Sequence, residues 1–255
     1  MNVKNIGSLM IKLVIILSML LIIFLDSDSL WVSSSNYKMI YLIFYIVFLL
    51  MSILIANKYN NININVNGVL IIHVLIFFIL LSMILNQSFS LLDFMIIAYI
   101  YIGILITFYI KYCDFVKLYI LIITFITCYS IILMYLILPL FPEFKSVFPS
   151  FTNDAGLLVR NYIFTFHFED HIAGSKRNTG IFREMGVFQF HINLAIIFLW
   201  FTSYQKEYKI IISFILILGL ITTFSSTGYL TFIIILIALT FKKKDFIIKK
   251  TNICN

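Results

Sequence analysis

The sequence predicts an all-α, polytopic integral membrane protein of about eight transmembrane helices, with both termini cytoplasmic and one large extracytoplasmic loop. Three observations lead there. Of the 255 residues, 62% are hydrophobic and only 11% charged, whereas a soluble domain carries about 25% charged and about 45–50% apolar residues. The 18 Lys and Arg sit in short clusters between long apolar runs, the distribution of loops between spans. Those runs approach the ~20 residues that cross a ~30 Å hydrocarbon layer as a helix. Helices satisfy every backbone group within such a layer. The formal charge of +7, so distributed, reads as a membrane-surface property and excludes nucleic acid as the partner.

The spans follow in order as Ile6–Leu25, Met39–Ala56, Val69–Leu85, Leu91–Ile110, Leu118–Leu140, Val187–Phe201 and a run from Ile210 to Phe241. The last has 32 residues, long for one span, and its middle reads Thr222-Thr223-Phe224-Ser225-Ser226-Thr227-Gly228. Such a polar, turn-forming cluster divides it into two short helices. Charge supports the division. With eight spans and the N-terminus inside, Lys4, Lys12, Lys58, Lys111, Lys117, Lys206, Lys209, Lys242, Lys243, Lys244, Lys249 and Lys250 are cytoplasmic. Only Lys38, Lys145, Arg160, Lys176, Arg177 and Arg183 lie outside. A single final span would export the Lys242–Lys250 cluster against the positive-inside rule. Lys12, within the first run, reaches the inner surface by its long stem. No clear small-x-small cleavage site follows Leu25, so the first run reads as a retained span.

The chain therefore divides into spans one to five over 1–140, the extracytoplasmic loop over 141–186, spans six to eight over 187–241 with an outer Thr/Ser turn at 222–228, and a basic cytoplasmic tail over 242–255. The three cysteines, Cys113, Cys128 and Cys254, show no C-x-x-C spacing and imply neither a disulfide framework nor a zinc site.

All three Arg fall in the outer loop, although the chain has 15 Lys. A polar loop of that length between spans is a place for function. Its last part reads Arg177-Asn-Thr-Gly180-Ile-Phe182-Arg183-Glu184-Met-Gly186-Val-Phe-Gln189 and runs directly into the sixth span. Arg forms bidentate, charge-assisted bonds to phosphate oxygens. Glycines let backbone amides approach an anion at a helix N-terminus. The combination suits a lipid-linked diphosphate presented at the bilayer surface. It equally suits an interfacial anchor, with Arg on lipid phosphates and Glu184 capping the helix.

The stretch R-x-x-G-I-F-x-E-x-G-x-F-Q, followed by a span with an early Asn193, resembles the signature of Wzy-type oligosaccharide repeat-unit polymerases, members of the O-antigen polymerase and ligase superfamily. The later Thr223-Phe-Ser225-Ser-Thr227-Gly228-Tyr resembles that family's second stretch, a Thr/Ser-rich turn and a Gly between two spans. The resemblance covers about Arg177–Phe241. It departs at Met185, where the family commonly has Pro, and in length, so the chain reads as a compact or C-terminally truncated relative.

That resemblance implies a glycosyltransferase of the cytoplasmic membrane that needs neither metal nor cofactor. It would join undecaprenyl-diphosphate-linked oligosaccharides into capsule, exopolysaccharide or O-antigen chains at the outer face. Carried onto this chain, Arg177 and Arg183 hold the diphosphate and Glu184 orients or deprotonates the acceptor hydroxyl. Gly180 and Gly186 shape the loop, and Ser225, Ser226 and Thr227 face the same cavity. Implied partners are the lipid-linked oligosaccharide, membrane lipid, a flippase and a chain-length regulator.

Other residues have plainer readings beside functional ones. From Arg160 to Glu169, Arg and aromatics alternate at period two, a strand-like pattern. The rings would stack on sugars or on the membrane surface, and Arg160 is a candidate second phosphate clamp. His167 and His171, with Glu169 and Asp170 between, read as exposed loop residues sooner than as a metal site. His191 is either a base or a satisfied interfacial histidine. Asp93 and His73 lie near span ends, within reach of water. Competing functions are the superfamily's ligase, to which His191-Ile-Asn193 is a poor match, a polysaccharide transporter or flippase, and an inactive remnant. A transporter would place charges at mid-bilayer in related halves, whereas here they gather on one outer loop.

Overall fold

The computed structural model describes residues 66–87, 97, 100, 112–152, 158–168, 177–182, 184–202 and 204–246. The expected spans at Ile6–Leu25 and Met39–Ala56, most of Leu91–Ile110, the residues Arg183, Lys176, Asp93, Glu169, Asp170 and His171, and the tail beyond 246 lie outside the described residues. The count of eight spans therefore rests on the sequence. The chain divides into two units, one holding helix α1 (Val66–Leu85) and the other everything from Cys113 onward. α1 is apolar all round and carries Phe77 and Phe78 exposed.

The second unit is built on α2 (Tyr112–Leu140), the one helix among the described residues long and apolar enough to cross a membrane. Asp114 in its first turn complements the positive end of the helix. Near its far end the helix widens into a π turn over Ile132–Ile137, where the Leu138 N–H reaches back to the Leu133 carbonyl. Pro139 explains the widening. Its ring crowds the carbonyl four residues earlier and it donates no hydrogen bond, so the turn before it relaxes to i→i+5 pairing. A 3-10 segment, Pro142–Val147, follows.

The described residues are mostly helical, as expected, and the departure is local. The segment that follows α2 forms a three-stranded antiparallel sheet in the order β1 (Ser150–Thr152), β2 (Leu158–Asn161), β3 (Phe166–Phe168). Outside the apolar runs nothing forces the backbone into a helix, and alternation at period two favours a strand. The predicted strand-like stretch from Arg160 is in fact two strands, with Val159 opposite Phe168 and Asn161 opposite Phe166. Between them the Tyr162 N–H bonds the Thr165 carbonyl at 2.9 Å. The Asn161 side chain accepts from the Ile163 N–H at 2.8 Å. Ile163 pays for this tight turn with φ +73, a region β-branched residues avoid.

The hairpin packs on α2. The Tyr129 hydroxyl donates to the Tyr162 carbonyl at 2.7 Å. Phe164 meets Phe125 and Tyr129 edge-on, at centroid distances of 5.3 and 5.5 Å. Tyr162 is buried with Leu133, Leu138 and Phe148.

Three helices complete the unit: α3 (Met185–Phe201), α4 (Lys206–Thr222) and α5 (Ser226–Phe246). The polar cluster does divide the last apolar run, since α4 ends at Thr222 and α5 begins at Ser226. α3 meets α2 at Tyr119, which stands edge-on to Phe198 at 5.4 Å. α4 also crosses α2 closely. A Cβ on Gly219 would stand 2.1 Å from the Thr127 methyl, so only glycine permits that approach. The cysteine expectation is corrected at one position. Cys113 is disulfide-bonded and Cys128 is a free thiol.

Candidate functional site

The segment between the sheet and α3 is not a surface loop along its whole length. Asn178, Thr179, Ile181 and Phe182 are buried, Asn178, Ile181 and Phe182 completely. A backbone without helix or strand pairing needs partners when buried, and Asn178 supplies most of them. Its side-chain amide donates to Ser130 Oγ at 2.8 Å and to Thr222 Oγ1 at 3.1 Å. Its Oδ1 accepts the Gly180 N–H at 3.0 Å, and its own N–H reaches the Thr222 carbonyl at 2.9 Å. One asparagine thus ties the loop to α2 and to the end of α4. Ser130 lies ten residues before Leu140, roughly 15 Å along the helix, so the middle of the loop is anchored well back from the C-terminal end of α2.

Gly180 is required on two counts. Its φ of +56 is left-handed, and a Cβ there would press on the Phe188 ring at 3.0 Å. From this bend the Gly180 carbonyl accepts the Phe166 N–H at 2.9 Å, joining loop to sheet. Phe182 then stacks flat on His191, centroids 4.6 Å apart and planes 11° apart. His191 Nδ1 is hydrogen-bonded to the Tyr119 hydroxyl at 2.7 Å. Of the two readings of His191, a satisfied histidine is the one the geometry fits: it joins α3, α2 and the loop.

The α4–α5 turn approaches the same place. Phe224, with φ +48, reverses the chain between the two helices. The Gln189 amide donates to the Ser225 carbonyl at 3.1 Å, and one turn further along α3 Asn193 donates to the Gly228 carbonyl at 3.3 Å. Gly228 makes this seam possible, because a Cβ on it would lie 1.5 Å from the Gln189 side chain. Gln189 Oε1 and Asn193 Oδ1 are buried there without a hydrogen-bond partner among the described residues.

Helix α2 meets the junction at two points. Besides Ser130, Tyr135 donates its hydroxyl to the Thr222 carbonyl at 3.3 Å. Residues five apart in an α-helix point about 140° away from each other at 3.6 residues per turn. The π turn that begins at Ile132 brings the fifth residue back over the first, so Ser130 and Tyr135 reach one junction.

The charged residues stand at the edges. Arg177 is exposed, with Nη1 3.4 Å from Met185 Sδ, which puts its guanidinium at the first turn of α3. Glu184 is exposed at the N-cap position of α3 in extended conformation (φ −121, ψ 138), and its side chain makes no capping bond. The capping role allowed by the sequence is therefore not taken. Gly186 is exposed, with open space where a Cβ would be. Ser225 and Thr227 hydroxyls pair at 3.1 Å, and Ser226 and Thr227 are exposed. Arg160 acts elsewhere: its Nη1 donates to the Lys145 carbonyl and, at 3.1 Å, to the Phe148 carbonyl, bracing the 3-10 segment against the sheet.

The sequence reading thus named the rim, quoted Gln189 and Asn193 as motif positions without a role, and missed Ser130, Tyr135 and the part Asn178 plays; these five residues form the frame. Four of these are neutral polar residues with buried side chains, and Ser130, Gln189 and Asn193 lie inside apolar runs. A hydrogen-bonding group in such a run needs a partner on another element, and that was the available signal. No protein-family model matches the chain, and no curated protein or solved structure matches it.

Proposed function

We propose that the chain is a multi-pass glycosyltransferase of the repeat-unit polymerase type, acting at the outer face of the bacterial cytoplasmic membrane. One observation supports this most. The two stretches that resemble the polymerase signature, about 40 residues apart in sequence, meet through Asn178 on Thr222, Gln189 on the Ser225 carbonyl and Asn193 on the Gly228 carbonyl. A shared site needs that meeting, whereas two unrelated turns do not.

In this reading the donor is a growing glycan on undecaprenyl diphosphate and the acceptor is the next lipid-linked repeat. Arg177 and Arg183 hold the diphosphate oxygens and stabilise the charge that develops as it leaves. The acceptor hydroxyl oxygen bonds to the anomeric carbon, the bond from that carbon to the diphosphate oxygen breaks, and the hydroxyl proton passes to the Glu184 carboxylate. Arg177 and Glu184 stand at the ends of a buried and hydrogen-bonded loop, which limits the freedom lost on binding. Ser225 and Thr227 add hydroxyls at the second turn. A flippase delivers the substrate and a chain-length regulator sets its extent.

The test is a gel profile of lipid-linked and surface glycan in the native host, with the gene deleted, restored as these 255 residues, and restored with Arg177→Ala. Single repeats on deletion, long chains on restoration and single repeats again with Arg177→Ala are expected. Long chains with Arg177→Ala would remove the central role, and no change on deletion would remove the function.

A further inference from the structure

Two tyrosines on different helices converge on the end of α4. Tyr135 from α2 donates to the Thr222 carbonyl at 3.3 Å, and Tyr229 from α5 donates to the Ile221 carbonyl at 2.7 Å. The Thr222 carbonyl also accepts the Asn178 N–H at 2.9 Å, so Arg177 is one residue from the same point. The Ser225–Thr227 hydroxyl pair is three residues further on. Tyr135 keeps 38% of its surface exposed and Tyr229 is half-buried. A tyrosine that serves as an interfacial belt turns its hydroxyl out to water and headgroups. Both of these instead hold theirs on backbone carbonyls at the exposed end of α4, and Tyr135 does so by means of a π turn, a helical form that concentrates at functional sites.

We propose that Tyr135 and Tyr229 form the sugar-contacting wall of the site, a proposal that rests on the polymerase reading. Their rings stack on a pyranose ring of the lipid-linked oligosaccharide, and the phenolic oxygens accept hydrogen bonds from its hydroxyls while still donating to α4. With hydroxyls already anchored, the rings lose little freedom when a sugar binds. Arg177, whose neighbour Asn178 bonds the same Thr222 carbonyl as Tyr135, takes the diphosphate of the same molecule.

The experiment compares the parent chain with Tyr135→Phe, Tyr135→Ala and Tyr229→Ala, each as the full chain. Glycan chain length in the deleted host is measured beside membrane abundance and melting temperature in detergent. A second arm titrates each purified chain, in nanodiscs, with the single repeat-unit glycan released by mild acid from the host's lipid-linked pool. Expected are a tenfold or greater weakening of glycan binding and short chains for both Ala variants, at parental abundance and melting temperature, with Tyr135→Phe retaining more binding than Tyr135→Ala. Parental binding and chain length in the Ala variants, with the parent still restoring polymer, would overturn the sugar wall and leave the polymerase reading intact. Activity lost only in step with melting temperature would make the tyrosines structural and overturn the wall as well. A parent that restores no polymer and binds no glycan would overturn both.

Discussion

The middle and the ends of the segment from Arg177 to Gly186 contrast sharply although they are neighbours in sequence. Asn178 to Phe182 is buried, neutral and bonded to α2, α4 and the sheet. Arg177, Glu184 and Gly186 are exposed, and neither Arg177 nor Glu184 has an ion pair among the described residues. Burying an unpaired charge is costly, whereas a buried amide with its bonds made is nearly neutral. The segment therefore divides its work: neutral side chains hold the backbone at depth, and charges stay at the rim where they meet a ligand. Function and stability should separate along that line.

The largest structural effect belongs to the seam beneath the rim. Gly228→Val forces a side chain into the Gln189 amide and breaks the bonds from Gln189 and Asn193 to the Ser225 and Gly228 carbonyls. Overpacking of this kind costs about 3 kcal/mol or more, and size-exclusion profiles in detergent should show the folded peak largely lost. Next comes Asn178→Ala, which strands the Gly180 N–H and removes the loop's bonds to the Ser130 and Thr222 hydroxyls. A loss of about 2–3 kcal/mol is expected, read as a lower melting temperature. Adding Ser130→Ala should cost little more than Asn178→Ala alone, because the two share one bond. Tyr119→Phe removes the hydroxyl on His191 and keeps the ring, for about 1 kcal/mol. Smallest are Glu184→Gln and Gly186→Ala, expected within about 0.5 kcal/mol of the parent. Glu184→Gln should nevertheless abolish polymer, and Gly186→Ala, in open space, should retain the fold with a slight gain from helix propensity.

Much of this arrangement is legible in sequence. The polar cluster at Thr222–Gly228 marks the turn between α4 and α5, and the onset of α3 at Met185 lies within two residues of the apolar boundary. Period-two alternation flags the strands after Leu158. Long-range partners are another matter. Nothing local indicates that Asn178 bonds Ser130, 48 positions away, or that Arg160 spends its guanidinium on backbone carbonyls. The π turn is similarly hidden, since Pro139 announces a defect in the helix but not which residues the wider turn brings round. Charges drew attention to the rim because they are rare in this chain. The neutral frame escaped because Ser, Asn and Gln are ordinary one at a time, and only their burial gives them meaning.

The most direct test measures fold and chemistry on the same samples of Arg177→Ala and Asn178→Ala, as melting temperature in detergent beside glycan chain length in the host. The division of labour predicts an Arg177→Ala chain that melts with the parent and makes no polymer, and an Asn178→Ala chain whose residual polymer falls in step with its lost stability. Long chains from Arg177→Ala, or a melting temperature lowered as far as that of Asn178→Ala, would contradict it.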